Sequence, residues 1–586
     1  MDKIVTFSPT TSSAGGLQTV LSIRSILVSY AGYPYTFNSL MPDNGLANLA
    51  GALLCAGHGV MVFDYGTIEN VKQMFSREIA LIARETYLSA MTNIEKGTEL
   101  TRKNFEDFSF LDGKLKEAGR TRCRRVAEEV CGWIEKLDPA FVGFKLWNGD
   151  GFWGSIEIAE QVKSRYKNVK IFAGGPHVDI FGENIFRVTD VFDALVYGDG
   201  EETILQLAEF AERKRKLGEV DNVIFRQNGR VARTQARSVG DLSSLPLPCY
   251  DTNVYPAMEG DNKLKIVVID ESRGCPFKCH FCIHPIKSGS RVRTKKANRV
   301  VEEMTRIMKG VGTRVFRYAG SATPPKLAGE IAELILKEGI KVEYSAFGNA
   351  GYGKAQPFEE IARSGCRSIF FGIESGSREI LRRSMGKALP PEEVAEVIER
   401  SKSAGIFTVG SVIFPAPFET RETERETIEF LAVVKPNAVV VQFPVIYPGT
   451  EWAVNPETFG LSFNETEYTD AGMTCKAKPL MPAEFWDDLP FSMNGKDFRT
   501  IRSEAARFTL ELERRGILTS VSDDFALMAK IAGYSGRESV VRDLGRLWFF
   551  TADTDKIQQF VEAVNSNAVA GDGTDRQRSK KPEGRR

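Results

Sequence analysis

Over the first 215 residues, short runs of β-branched and aromatic residues alternate with stretches whose apolar positions recur at helical spacing. Candidate strands are Ile26–Tyr30, Val60–Asp64, Phe141–Phe144, Lys170–Ala173 and Ala194–Tyr197, each ending near glycine or a polar turn. This alternation predicts an α/β fold whose N-terminal part is a Rossmann-like, doubly wound parallel sheet. The alanine- and leucine-rich run from Gly45 reads as a helix with a small-residue face on the sheet, ended by Gly57. The charged segment from about Asn70 to Arg125 predicts helices inserted between the second and third strands.

A second alternating series begins beyond the proline-rich run Leu242–Asp251, which marks a linker over 216–258. Its strands, Lys265–Ile269, Val315–Tyr318, Val342–Ala346, Ser368–Ile373, Phe407–Ile413 and Ala438–Gln442, predict a partial (β/α) barrel over 259–451. From 452 to 570 the pattern becomes that of a small, mainly helical region, rich in aromatics such as Phe485-Trp486 and Leu547-Trp-Phe-Phe550. Plain core packing is the favoured role for those aromatics, with a cap over the barrel mouth as the alternative. Residues 571–586 lack apolar anchors and read as a disordered tail.

In open parallel sheets, ligands bind beyond the carboxyl ends of the strands. The loops there in the first domain contain Tyr65 and Gly66, then Gly174, Gly175 and His177, then Gly198, Gly200 and Glu201. Glycine admits close backbone approach to a flat ligand, and aromatic rings supply apolar walls. Ordinary turn glycines explain these loops equally well when the domain is taken alone.

Charge refines the picture by exclusion. The 77 basic and 77 acidic residues balance, which argues against nucleic acid as a bulk electrostatic partner. No apolar run reaches bilayer-spanning length, so the expectation is a cytoplasmic protein without a membrane partner. Nine cysteines are an odd number and poor material for a disulfide framework. Six of them read as buried small hydrophobes in a reducing compartment.

The other three stand in Glu271-Ser-Arg-Gly-Cys-Pro-Phe-Lys-Cys-His-Phe-Cys-Ile-His284. Cys275, Cys279 and Cys282 give three soft ligands within eight residues, one fewer than a closed iron-sulfur cluster needs. The remaining iron would keep an exchangeable position. A structural zinc site recruiting His280 or His284 is the main rival, although zinc motifs usually space two ligand pairs far apart. A ferredoxin-like carrier would need a fourth cysteine, and neither Cys249 nor Cys366 lies in a matching run. Glu271 is close enough to the loop to influence the open iron, a solvated loop carboxylate being the commoner explanation.

The Cys-x3-Cys-x2-Cys spacing, led in by Arg273-Gly-Cys-Pro and with Phe281 before the last cysteine, resembles the radical S-adenosylmethionine superfamily. The resemblance implies a 4Fe-4S cluster on these three cysteines, with the amine and carboxylate of S-adenosylmethionine on the fourth iron. Phe371-Gly-Ile-Glu-Ser-Gly-Ser-Arg-Glu-Ile-Leu381 and Met385-Gly-Lys387 resemble its cobalamin-binding branch, which places Glu374 and Ser375 near the cosubstrate's ribose or amine. A helix cap with a first-turn carboxylate is the other reading of that pair. Gly320 and Ser321 of Tyr318-Ala-Gly-Ser321 occupy the place of a Gly-Gly-Glu-like motif contacting the cosubstrate amine. Phe414-Pro-Ala-Pro-Phe-Glu-Thr420 resembles the family's Gly-x-Pro-Gly-Glu-Thr turn without its glycines.

Gly45-Leu-x-x-Leu-Ala50, Gly174-Gly-Pro-His177 and Tyr197-Gly-Asp-Gly-Glu-Glu-Thr203 similarly imply that the first domain binds cobalamin. No Asp-x-His-x-x-Gly run occurs, so the lower face of cobalt is expected to carry water, a non-histidine neighbour or nothing. His177 is expected near the corrin or the nucleotide tail.

The activity implied is methyl transfer from S-adenosylmethionine, by way of cobalamin, to a carbon of a small molecule or peptide in natural-product biosynthesis. A reducing electron donor such as flavodoxin or ferredoxin is the implied partner. Three alternatives stand beside it: polar methylation of an aromatic carbon such as that of tryptophan, a cobalamin-dependent oxidative cyclase, and a non-enzymatic cobalamin sensor.

Overall fold

A computed structural model of the chain describes residues 23–95, 100–476, 478 and 480–569. The tail expected from 571 lies outside the described residues. Five parallel strands open the chain: β1 (Ile23–Ser29), β2 (Gly59–Asp64), β3 (Phe141–Lys145), β4 (Lys170–Gly174) and β5 (Ala194–Val196). Their side chains are almost entirely buried, as befits a parallel sheet covered on both faces. Helix Asn44–Cys55 is started by the Asp43 carboxylate, which accepts the Leu46 N–H at 3.0 Å, and stops where Gly57 turns to φ +81°. Two long helices, Arg77–Glu95 and Arg102–Leu137, form the insertion before β3.

The segment read as a linker belongs to this domain instead. β6 (Val223–Gln227) and β7 (Arg230–Arg233) form a hairpin that adds to β5 antiparallel, giving the order β2-β1-β3-β4-β5-β6-β7. The proline-rich run then crosses helix Asn44–Cys55, where the Cys249 N–H donates to the Ala47 carbonyl at 2.9 Å. Arg226, Arg230 and Arg233 give the hairpin a polar cast in sequence, and only the first half of β6, Val223, Ile224 and Phe225, is buried.

The barrel half starts with β8 (Val267–Ile269), followed by a two-stranded clasp of β9 (Ser272–Arg273) and β10 (Arg293–Thr294) around the cysteine loop. Then come β11 (Val315–Tyr318), β12 (Glu343–Gly348), β13 (Cys366–Glu374), β14 (Phe407–Ile413) and β15 (Ala438–Gln442). Six parallel strands in the order β15-β14-β13-β12-β11-β8 make an open barrel with helices outside. Each predicted barrel strand is present, extended or trimmed by a few residues.

The C-terminal part is helical apart from a small antiparallel sheet of β16 (Leu461–Phe463), β17 (Phe491–Met493) and β18 (Lys496–Asp497). Helix Asp523–Ile531 packs against β12, β13 and β14. Helices Glu538–Phe550 and Thr554–Ala568 close a core with the first domain: Phe37 lies 5.1 Å from Phe549 and 4.1 Å from Phe560, and the Tyr33 hydroxyl donates to the Phe549 carbonyl at 2.6 Å. The Leu547–Phe550 aromatics are therefore core. No helix among the described residues is long and apolar enough to cross a membrane.

Candidate active site: two cavities with one shared wall

The cysteine loop leaves β8 and is held by backbone contacts independent of its thiols. Gly274 has φ +87°, and a Cβ there would stand 2.2 Å from the Arg291 carbonyl oxygen, so the turn into Cys275 requires glycine. The Cys275 N–H donates to Gly289 and the His280 N–H to Met385, each at 3.0 Å, while the Trp452 N–H donates to the His280 carbonyl at 3.2 Å. The Trp452 indole N–H reaches the Ser384 carbonyl at 3.0 Å, and His280 Nδ1 lies 3.2 Å from the same oxygen. His280 thus serves the loop's scaffold.

Cys275, Cys279 and Cys282 line one cavity of about 650 Å³ at the carboxyl ends of the strands, with Gly348, Glu374, Ile413 and Gln442 closing β12 to β15 around it. Among the described residues no three His, Cys, Asp or Glu side chains gather around a single metal ion. All three cysteines border this one cavity, where they could serve as three ligands of a cluster. Burial pushes the Cys279 thiol up and the Cys282 thiol up to about 11, so these ligands ionise when metal binds.

Glu271 is fully buried, and its carboxylate braces the turn after β11. It accepts the Ala319 and Gly320 N–H groups at 3.1 Å each, the Thr323 hydroxyl at 2.9 Å and the Ser272 hydroxyl at 3.0 Å. It is not a solvated loop carboxylate. Gly320 is where this brace comes closest: a Cβ would lie 2.0 Å from Ser272 Oγ and 2.2 Å from Glu271 Oε1. Gly320→Ala is expected to cost about 1–3 kcal/mol through forced repacking, measurable in denaturant unfolding; an unchanged midpoint would contradict the brace.

Ser321, next in the turn, faces outward, with Oγ 3.1 Å from His284 Nδ1. Ser321 and His284 line the cluster cavity and also a second cavity of about 370 Å³. Burial, with Lys287 nearby, lowers His284 to about 4, so its ring is neutral at pH 7.

The second cavity lies between the first sheet and the cysteine loop. Gly174, Gly175, Gly198 and Gly200 line it together with Gly45 and Gly143, and Leu27, Phe172 and Ala173 carry it along the face of the sheet. Lys145, Asp179 and Lys287 supply polar groups. A glycine-rich cradle continued by an apolar slot fits a flat macrocycle bearing an extended tail, the shape cobalamin presents.

Three residues expected there are elsewhere. Tyr65 is packed against Tyr30 and Arg122, and the Gly66 N–H and carbonyl serve the buried ion pair of Asp64 with Lys263 (2.8 Å). His177 is buried between Phe152 and Phe181, each 4.7 Å away, because Pro176 starts a helix that turns the ring into the core; burial lowers it to about 4. No histidine of the first domain lines the cavity.

Glu201 borders the cavity, but its carboxylate is engaged by Arg273, two residues before Cys275. Arg273 also pairs with Asp199 at 3.2 Å and Asp270 at 2.7 Å, while Arg293 takes the other Asp199 oxygen. Against the cost of burial, Arg273 and Lys295 hold Asp270 below the usual carboxylate range. The Gly198–Glu201 loop therefore docks the first domain onto the cysteine loop.

Of the β13 pair, Glu374 lines the cluster cavity at φ +65°, held by Lys387 at 2.8 Å, whereas Ser375 is turned away, with its hydroxyl 2.9 Å from Thr427 Oγ1 and accepting the Ser377 N–H. Phe414 stacks on Phe508, and Glu419 and Thr420 cap helix Arg421–Val434 outside the cavity. Sequence reasoning missed Arg317, Asp523 and Asp524, which converge on the cluster cavity from β11 and the C-terminal helix.

The chain matches the family model of the radical SAM superfamily over residues 271–431 and that of the B12 binding domain over 116–208. It is 27% identical over 398 residues to an uncharacterized methyltransferase of Pyrococcus horikoshii, covering 67% of this chain and 82% of that one. In fold it resembles TsrM, a radical S-adenosylmethionine methyltransferase from Kitasatospora setae solved with cobalamin and a 4Fe-4S cluster, at TM-score 0.60 and 14% identity, covering 92% and 100% of the two chains. It also resembles OxsB, a cobalamin-dependent S-adenosylmethionine radical enzyme solved with aqua-cobalamin and S-adenosylmethionine, at TM-score 0.55 and 15% identity, covering 93% and 75%.

Proposed function

We propose that this chain is a cobalamin-binding radical S-adenosylmethionine methyltransferase that moves a methyl group from S-adenosylmethionine to a carbon of a small molecule or peptide in natural-product biosynthesis. The observation that carries this reading is the shared wall: the three-cysteine cavity and the glycine-lined cavity meet at the hydrogen-bonded Ser321–His284 pair. Bound there, the cluster with S-adenosylmethionine would supply a methyl donor and one-electron chemistry, and cobalamin a methyl carrier.

Cys275, Cys279 and Cys282 would hold the cluster, and Gly174, Gly175, Gly198 and Gly200 would cradle the corrin. Neutral His284 and Ser321 form a short polar partition that brings the contents of the two cavities together. Glu374, fixed by Lys387, presents a carboxylate to the cosubstrate side. Phe347, Phe370, Phe443 and Trp452 give the chamber apolar walls. An electron donor of the flavodoxin or ferredoxin kind completes the reading.

The test is anaerobic incubation of the reconstituted chain with reductant, methyl-labelled S-adenosylmethionine and cell extract, followed by mass spectrometry. One or more compounds are expected to gain the labelled methyl carbon. A ring-forming product without label would replace the methyltransferase reading by an oxidative cyclase.

A further inference from the structure

We propose that Asp523 and Asp524 bind a cationic group, an ammonium or guanidinium, on the molecule to be methylated. This rests on the reading of the cluster cavity as the substrate chamber. Both carboxylates are almost completely buried at the start of helix Asp523–Ile531, and both line that cavity with Arg317 of β11. Arg317 Nε is 3.6 Å from Asp523 and 3.4 Å from Asp524, so one guanidinium faces two carboxylates.

The hydrogen bonding separates a binding group from a docking pair. Asp524 is engaged by the Ser522 hydroxyl and by the Phe525 N–H at 2.9 Å. Neither Asp523 oxygen receives a well-formed hydrogen bond, and the donors that face it, Arg317 Nε at 3.6 Å and the Ser345 hydroxyl, are themselves unspent. The Arg273 network, by contrast, places directed hydrogen bonds on three carboxylates. Buried polar atoms are nearly always satisfied, so unspent acceptors facing a cavity mark the place of an absent donor.

The other charges of the chamber do not compensate. Glu374 is matched by Lys387. Burial, reinforced by Asp524 and opposed by Arg317, raises Asp523 above the usual carboxylate range, so a cation bound beside it would draw the group toward its ionised form. Beside it, the Arg317 guanidinium already lies over Phe347 at 4.8 Å from the ring centre, so the wall combines acid with an aromatic face. A cation attached to an apolar body matches both.

S-adenosylmethionine is itself a cation, so the measurements must separate it from substrate. The reconstituted full-length protein is titrated anaerobically by calorimetry with tryptamine, phenethylamine and agmatine, with 3-phenylpropionate as the anionic counterpart of phenethylamine, and separately with S-adenosylmethionine. At least one amine is expected to bind about tenfold or more tightly than the carboxylate. Asp523→Asn and Asp523→Asn/Asp524→Asn should abolish that preference while S-adenosylmethionine affinity stays within about threefold. Circular dichroism of each variant checks that the helix persists.

Equal binding of amine and carboxylate, absence of binding by all three amines, or a preference surviving in the double variant would overturn the proposal. So would a large loss of S-adenosylmethionine affinity with amine binding intact, which would assign the acids to the cosubstrate. None of these readouts requires methyl transfer, so this inference and the proposed activity fail separately.

Discussion

Replacing Cys279 with alanine is expected to reduce cluster iron and sulfide to adventitious levels and to lower methyl transfer at least about 100-fold, because a lost ligand should exceed the 10–100-fold typical of outer contacts. The folded chain should survive, since the loop hangs on the His280 to Met385, Trp452 to His280 and Cys275 to Gly289 backbone bonds, none of which uses the Cys279 thiol. Iron and sulfide analysis after anaerobic purification, beside circular dichroism, measures both halves. Equal iron in variant and parent would remove the cluster from these cysteines.

Arg273→Met is expected to have the largest effect on stability. The side chain is mostly buried and answers Asp199, Glu201 and Asp270 together, so its removal leaves carboxylates facing one another in a largely buried interface. Breaking a buried pair from one side typically costs about 3–5 kcal/mol. Arg293 still holds Asp199, which keeps the loss within that range. A lowered unfolding midpoint is expected, with early proteolytic release of the first domain. Adding Glu201→Gln should recover part of the loss by removing one uncompensated charge. A midpoint within about 0.5 kcal/mol of the parent would show that the two halves are held by other contacts.

Much of this was readable from the chain. Short β-branched and aromatic runs between helical patterns located the five parallel strands of the first domain and all six of the barrel, because parallel strands buried on both faces are continuous apolar runs. The three cysteines were legible because their spacing is itself the ligand geometry. What escaped depends on partners distant in sequence. Glu201 reads as a cofactor contact in a glycine loop, and nothing local announces that its partner is Arg273. The hairpin β6–β7 was taken for linker because its outer positions are polar. His177 sits in a glycine-proline run that looks like a loop, yet Pro176 initiates a helix and buries the ring. Asp523 and Asp524 resemble ordinary first-turn acids until the helix is seen lying across β12 to β14.

The β6–β7 hairpin also bears on how this protein behaves in concentrated solution. A parallel sheet ending at β5 would expose an unpaired row of amide and carbonyl groups, a template for a strand from a neighbouring molecule. The hairpin moves that margin out to β7, where Arg230 and Arg233 stand at the two ends of a short, exposed strand, and an incoming chain would have to accommodate their charges. At the opposite margin the Val62 N–H of β2 is taken by the Val254 carbonyl at 2.7 Å. Strands that bind no cofactor thereby protect the cofactor-bearing sheet from intermolecular strand addition while the two halves are still assembling.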